Sequence, residues 1–194
     1  MKVGHETPKI IRFTYRQEPG DKGYGSCLWA DFDLDLAGWS MSIRSDVGNY
    51  AYEWTPEKGT NFLKFCTHIA GDYLIHKLCG SPEEVDVDGT YEQICEDVRS
   101  YCGDKTDEFI KDLRRRLAGP ADREKCSGQF KDRRLLEEAL DGWNDENDVG
   151  FCDLWEYIRY DYSAWQKRIV EIFSEHIRPA IRQYMKDEAE AEVL

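Results

Sequence analysis

Between Ser26 and Trp54 the chain alternates apolar and polar residues more strictly than anywhere else. Leu28, Ala30, Phe32, Leu34 and Leu36 fall on one parity, and Trp29, Asp31, Asp33 and Asp35 on the other. A period of two marks a strand with one face in a core and one toward water. The same alternation precedes it over Lys9 to Arg16, where Ile11, Phe13 and Tyr15 oppose Arg12, Thr14 and Arg16. After the break at Ala37-Gly38, Trp39, Met41 and Ile43 alternate with Ser40, Ser42 and Arg44. Past Asp46-Val47-Gly48-Asn49, Tyr50, Tyr52 and Trp54 alternate with Ala51 and Glu53. Four consecutive strands joined by turn residues predict an antiparallel meander.

Thr55-Pro56 ends this pattern, and from Thr60 the spacing changes to three and four. Phe62, Phe65, Cys66, Ile69 and Tyr73 predict one amphipathic helix running to Cys79, stopped by Gly80. Val85 to Gly89 reads as a loop. Further helical stripes follow: Tyr91 to Cys102, Phe109 to Leu117 with Gly119-Pro120 as its stop, and Leu135 to Trp143. Residues 120–130 read as a connection. Asn144 to Gly150 reads as a polar loop whose composition suits calcium but whose ligand register does not. Leu154, Trp155 and Ile158 open another helix, and Ser163 to Glu190 forms the last one, kinked at Pro179 and frayed from Lys186. The expected fold is α+β: an N-terminal four-stranded antiparallel meander packed against a C-terminal helical layer. It is expected as one domain over 1–194, with 1–58 supplying the sheet and 59–194 the helices.

A length of 194 residues suffices for such a core, and an aromatic share of 13%, with six Trp and eleven Tyr, distinguishes the chain from an acidic disordered one. The formal net charge of −13 opposes binding to nucleic-acid backbones and to anionic lipid, since both depend on Lys and Arg. No signal-peptide core or membrane-length apolar run occurs, so a cytoplasmic protein of the host cell is expected. The seven Cys are scattered without a CxxC pair, and most of them read as small buried apolar residues.

Three groups of residues bear on chemistry. Asp31, Asp33 and Asp35 line one strand face, where alternate residues lie about 6 to 7 Å apart, too far to share one ion unaided; Arg44 on the next strand is placed to neutralise one of them. His68, Asp72 and His76 recur at i, i+4 and i+8, a spacing that would present a metal set or an oriented base on one continuous helix. From Lys111 to Arg134, nine Lys or Arg stand against four Asp or Glu, which suits a face of ion pairs or, as the alternative, a phosphate-binding patch. Neither a glycine-rich phosphate loop nor a GxSxG element occurs, and no cofactor is expected.

The run Ser45 to Trp54, SDVGNYAYEW, followed by Asn61-Phe62-Leu63-Lys64-Phe65 and Gly71-Asp72-Tyr73-Leu74, resembles a pattern in small accessory proteins of phages and other mobile elements. It spans Leu34 to Leu78 and transfers no catalytic residue. The resemblance implies an inhibitor of host defence, of the anti-CRISPR kind. The expectation is therefore a non-enzymatic protein that binds a protein or nucleoprotein with a basic surface, such as a CRISPR effector. Its candidate contacts are Asp31, Asp33 and Asp35; Glu83, Glu84, Asp86 and Asp88; and Asp145, Glu146 and Asp148. The alternatives are a metal-dependent enzyme using His68, Asp72 and His76 or the Asp31 strand, and an oligomeric structural or regulatory phage protein.

Overall fold

A computed structural model describes residues 8–56, 58–118, 130 and 132–191. The chain divides into two compact units, one built from the segment up to Ser81 together with that from Ser163 onward, the other from Pro82–Tyr162.

In the first unit, β1 (Ile10–Arg16), β2 (Trp29–Asp35), β3 (Ser40–Ser45) and β4 (Gly48–Glu53) form an antiparallel sheet in sequential order. This is the meander the alternation predicts. Ala30, Phe32, Leu34, Met41 and Ile43 are buried on its inner face. The β3–β4 turn closes on Gly48 at φ 142°, where an added Cβ would meet the Tyr50 hydroxyl at 2.7 Å. Trp39 departs from its expected place in the third strand. Asp35 Oδ1 accepts from the N–H groups of Ala37 and Gly38, and Trp39 follows in the left-handed region, φ 49°. Its indole is thereby turned inward onto Phe62 and Phe65, at centroid distances of 5.4 and 5.8 Å.

The helix expected from Thr60 to Cys79 is two helices, α1 (Phe62–His68) and α2 (Gly71–Cys79). Asn61 caps the first through the N–H groups of Leu63 and Lys64, while Ile69 and Ala70 are extended. Breaking a helix strands its last carbonyls. Here arginines on the last helix satisfy them: Arg178 donates to the Ile69 carbonyl at 2.6 Å and Arg182 to that of Thr67 at 3.1 Å.

That last helix is α6 (Ala164–Ile172), a π-helical turn (Phe173–Ile177) and α7 (Arg178–Ala191). Ser163 and Gln166 form a capping box at its start. The π turn, with the Arg178 N–H bonded to the Phe173 carbonyl, lies immediately before Pro179, whose missing N–H must interrupt the regular ladder. Helical geometry continues through Ala191 rather than fraying from Lys186. Ile169, Ile172, Phe173, Ile177 and Ile181 are buried, and Phe173 meets Phe32 of the sheet at 6.1 Å.

The second unit begins with β5 (Glu84–Asp86), not a loop, and passes directly into α3 (Val87–Tyr101), whose cap is Asp86. Next come α4 (Thr106–Leu117) and α5 (Arg133–Asn147), which absorbs the first half of the polar loop expected from Asn144. The stop expected at Gly119-Pro120 and the connection at 120–129 lie outside the described residues. Leu154–Tyr157 is a 3-10 turn rather than a helix start, and β6 (Arg159–Asp161) pairs antiparallel with β5. A three-residue strand carries too little alternation to show in sequence.

Ile94, Val98, Leu113, Leu117, Leu136, Leu140 and Trp143 make this unit's core. Trp143 Nε1 donates to the Phe109 carbonyl at 3.2 Å, so the one polar atom of that side chain is satisfied inside. The Asn144 side chain donates to and accepts from the Phe151 backbone, both at 3.0 Å, which holds the turn after α5. Thr90, wholly buried, donates to the Asp86 carbonyl at 2.7 Å and accepts from the Arg159 N–H at 2.9 Å, fastening α3 to β6.

Candidate functional site

On the outer face of the four-stranded sheet, the aspartates meet cations across the ladder. Asp33 stands opposite Arg12 and is held by it in a two-pronged bond, 2.5 and 2.8 Å. Asp31 takes Arg16 at 2.6 Å on one flank and Arg44, its direct partner on β3, at 3.6 Å on the other. The Asp31 and Asp33 side chains are only 13% and 15% exposed. The Arg12 guanidinium bonding to Asp33 outweighs the opposing effect of burial and holds that carboxyl below the ordinary aspartate range. Asp35 is committed to the β2–β3 turn. The face is a cross-strand ion-pair lattice with Arg16 over the Trp29 ring at 5.8 Å, and its charge is largely balanced from within.

The helix break separates the histidine set. His68 ends α1, where its Nδ1 donates to the Lys64 carbonyl at 2.8 Å, whereas Asp72 and His76 belong to α2. The i, i+4, i+8 face presupposed one continuous helix and does not form. Among the described residues no group of three His, Cys, Asp or Glu is arranged to hold a metal ion.

Cys27, Cys66 and Cys95 are buried, Cys79 and Cys102 are half-buried, and Cys152 is exposed. Burial first, then its bond to Asp46, pushes the Cys27 thiol up to about 12, and burial does the same for Cys66. Cys126 lies outside the described residues. Asp46 instead serves as a backbone anchor: burial opposes its ionisation, but the Leu28 N–H at 2.9 Å, the Cys27 thiol at 3.3 Å and the Trp29 N–H at 3.4 Å lower its pKa overall.

The basic stretch pairs with nearby carboxylates. Arg115 bonds Asp112, Arg116 bonds Glu146, and Arg133 and Arg134 reach Glu137 and Glu138 one turn on, at 2.6 and 3.2 Å. Arg114 lies over the Tyr91 ring at 5.8 Å. These five arginines form a surface of ion pairs and ring contacts, as the first of the two expectations had it.

Charge is partitioned sharply between the units. Pro82–Tyr162 contains 23 Asp or Glu and 12 Lys or Arg, a net −11, whereas the rest of the chain has 16 and 14, a net −2. Seven of the ten candidate contact residues lie in the acidic unit. Glu83 and Glu84 are exposed at β5, Asp86 caps α3 through the Gly89 N–H at 2.9 Å, and Asp88 lies in the first turn of that helix. Asp145 and Glu146 are on the last turn of α5, and Asp148 is its left-handed cap.

A group of aromatics in this unit carries no signature in alternation or apolar helical spacing. Tyr157 donates to Asp97 Oδ2 at 2.6 Å, and this bond, with burial behind it, pushes the phenol up to about 12. Tyr101, four residues after Asp97 on α3, is 78% exposed, and Trp155 is 53% exposed. The i, i+4 spacing of Asp97 and Tyr101, along the edge of the stripe that Ile94 and Val98 bury, was the available signal.

A four-stranded meander with helices on its inner face, and an acidic helical unit that follows α2 and precedes α6 in chain order, define an α+β protein, and a family model spanning residues 1–183 identifies it as a phage protein. The chain belongs to that phage family, Phage_phiTE_072. No curated protein and no solved structure matches it. No helix among the described residues is long and apolar enough to cross a membrane.

Proposed function

We propose that this phage protein is a non-enzymatic inhibitor that binds a host defence complex, such as a CRISPR effector, through the acidic surface of Pro82–Tyr162. The observation that carries the reading is the charge partition: nearly all of the net negative charge resides in one compact unit, whereas the sheet aspartates are paired internally. Effector complexes present basic channels to nucleic acid, and a negatively charged protein surface competes for them by electrostatic complementarity, with fast association. The Asp31 strand acts in this account as scaffold. Glu83, Glu84, Asp88, Asp145 and Asp148 supply the field that draws in the partner.

The test is a plating assay on paired host strains, one carrying an active CRISPR system targeting the challenging phage and one with that system deleted. Expression of the protein should restore plaques on the first strain and change nothing on the second. Equal plating with and without the protein, across hosts carrying different defence systems, refutes the reading.

A further inference from the structure

The C-terminal end of α3 and the 3-10 turn Leu154–Tyr157 bring exposed aromatic rings together with carboxylates. Tyr101 projects at the end of α3 with most of its surface in water, and Asp97 lies one turn before it on the same side. Tyr157 is fixed against Asp97 by the 2.6 Å bond, and its ring is stacked on Phe151 at 5.9 Å with an interplanar angle of 9°. Glu156 and Trp155, both exposed, precede it in the same turn. The Trp155 Nε1 donates to Asp153, which adds a further carboxylate at the rim. Exposed aromatic rings are costly to leave in water and are enriched where surfaces are recognised. Rings standing among carboxylates favour one class of occupant, because a guanidinium or ammonium group stacks on the π face while pairing with the anion beside it.

We infer that the surface formed by Asp97, Tyr101, Trp155, Glu156 and Tyr157 is the docking site for an arginine- and lysine-rich segment of a protein partner. The locking of Tyr157 onto Asp97 and Phe151 matters to this assignment, since a preordered ring loses little freedom on binding. Nucleic acid is excluded as occupant by the carboxylates, which would face its phosphates. The site deepens, and rests on, the reading of this unit as the partner-binding part of an inhibitor.

The experiment titrates the full-length protein with a twelve-residue peptide of alternating Arg and Ala, and with its Glu-for-Arg counterpart, followed by backbone amide shifts. Shifts should concentrate at Asp97, Tyr101 and Trp155 to Tyr157 with the Arg peptide and be absent with the Glu peptide. Tyr101→Ala, at an exposed position that leaves folding intact, should weaken binding about tenfold, the loss of one stacked cation at ~1 to 2 kcal/mol. Asp141→Asn, which removes one negative charge elsewhere in the unit, should leave the affinity within about twofold. Shifts spread over all acidic positions, or equal losses in Asp141→Asn and Tyr101→Ala, overturn the site. Defence inhibition unimpaired by Tyr101→Ala would overturn the site and leave the inhibitor reading standing; peptide binding here without any defence inhibition would do the reverse.

Discussion

Asp31 lies directly opposite Arg44 in the β2–β3 ladder, its carboxylate 3.6 Å from that guanidinium and 2.6 Å from Arg16 on the other side. One carboxylate between two arginines cannot serve as a free anionic contact without stranding a cation. Asp31→Asn should therefore leave partner affinity within about twofold. It should also make the sheet face more basic, which earlier elution from an anion-exchange column would register.

Asp33 and Asp46 give the protein an acid-labile component. Both ionise at lower pH in the folded protein than in the unfolded chain. A depressed folded pKa adds stability that is complete above the unfolded aspartate value of about 4 and is lost as pH falls through the folded value. Urea midpoints should thus drop between about pH 5 and pH 3. Asp33→Asn should lower the neutral-pH midpoint while flattening this acid limb; an acid limb unchanged by the substitution would show that the Arg12 pair carries no linkage.

The break between α1 and α2 depends on residues more than a hundred positions away. Arg178→Met keeps the aliphatic stem but leaves the Ile69 carbonyl without its charged donor, and such bonds contribute about 1.5 to 3 kcal/mol. Thermal unfolding should show a loss in that range. A neutral result would mean that the carbonyl finds another donor.

Thr90 performs the analogous service in the acidic unit. Thr90→Val preserves shape but removes the acceptor for the Arg159 N–H, a cost of about 1 to 3 kcal/mol for a buried donor. Hydrogen exchange at the Arg159 amide should accelerate markedly, whereas amides of β2 and β3 should not change.

The sheet was legible because its code is local: Phe32, Leu34, Met41 and Ile43 each announce the inner face by parity alone. The split between α1 and α2 was not. The apolar spacing from Phe62 through Leu74 continues across Ile69 and Ala70, and the break is stabilised by Arg178 and Arg182, whose proximity no periodicity reveals. Trp39 was misplaced for a related reason, since its parity suits β3 while the Asp35 turn determines its backbone. That Arg44 would neutralise one of the strand aspartates was visible in the sequence, and the register of β2 on β3 makes that one Asp31. That Arg12 and Arg16 also close on these aspartates required the antiparallel alignment of β1. Total charge was plain in the composition, but its concentration in Pro82–Tyr162 became meaningful only once contacts defined that segment as a unit. Tyr157 stayed hidden because its bond to Asp97 spans sixty positions of sequence.

The most direct test of the central claim is binding of the purified protein to a reconstituted CRISPR effector complex at about 50 mM and about 500 mM NaCl, salt concentrations that span strong to weak screening of exposed charges. Wild type would be compared with a variant neutralised at Glu83, Glu84 and Asp88 and with one neutralised at Asp31 and Asp33. The account predicts a complex that weakens at least tenfold at the higher salt, is impaired by the first variant and is retained by the second. Binding that ignores salt, or that is lost through the sheet aspartates while the acidic unit can be neutralised freely, would contradict it.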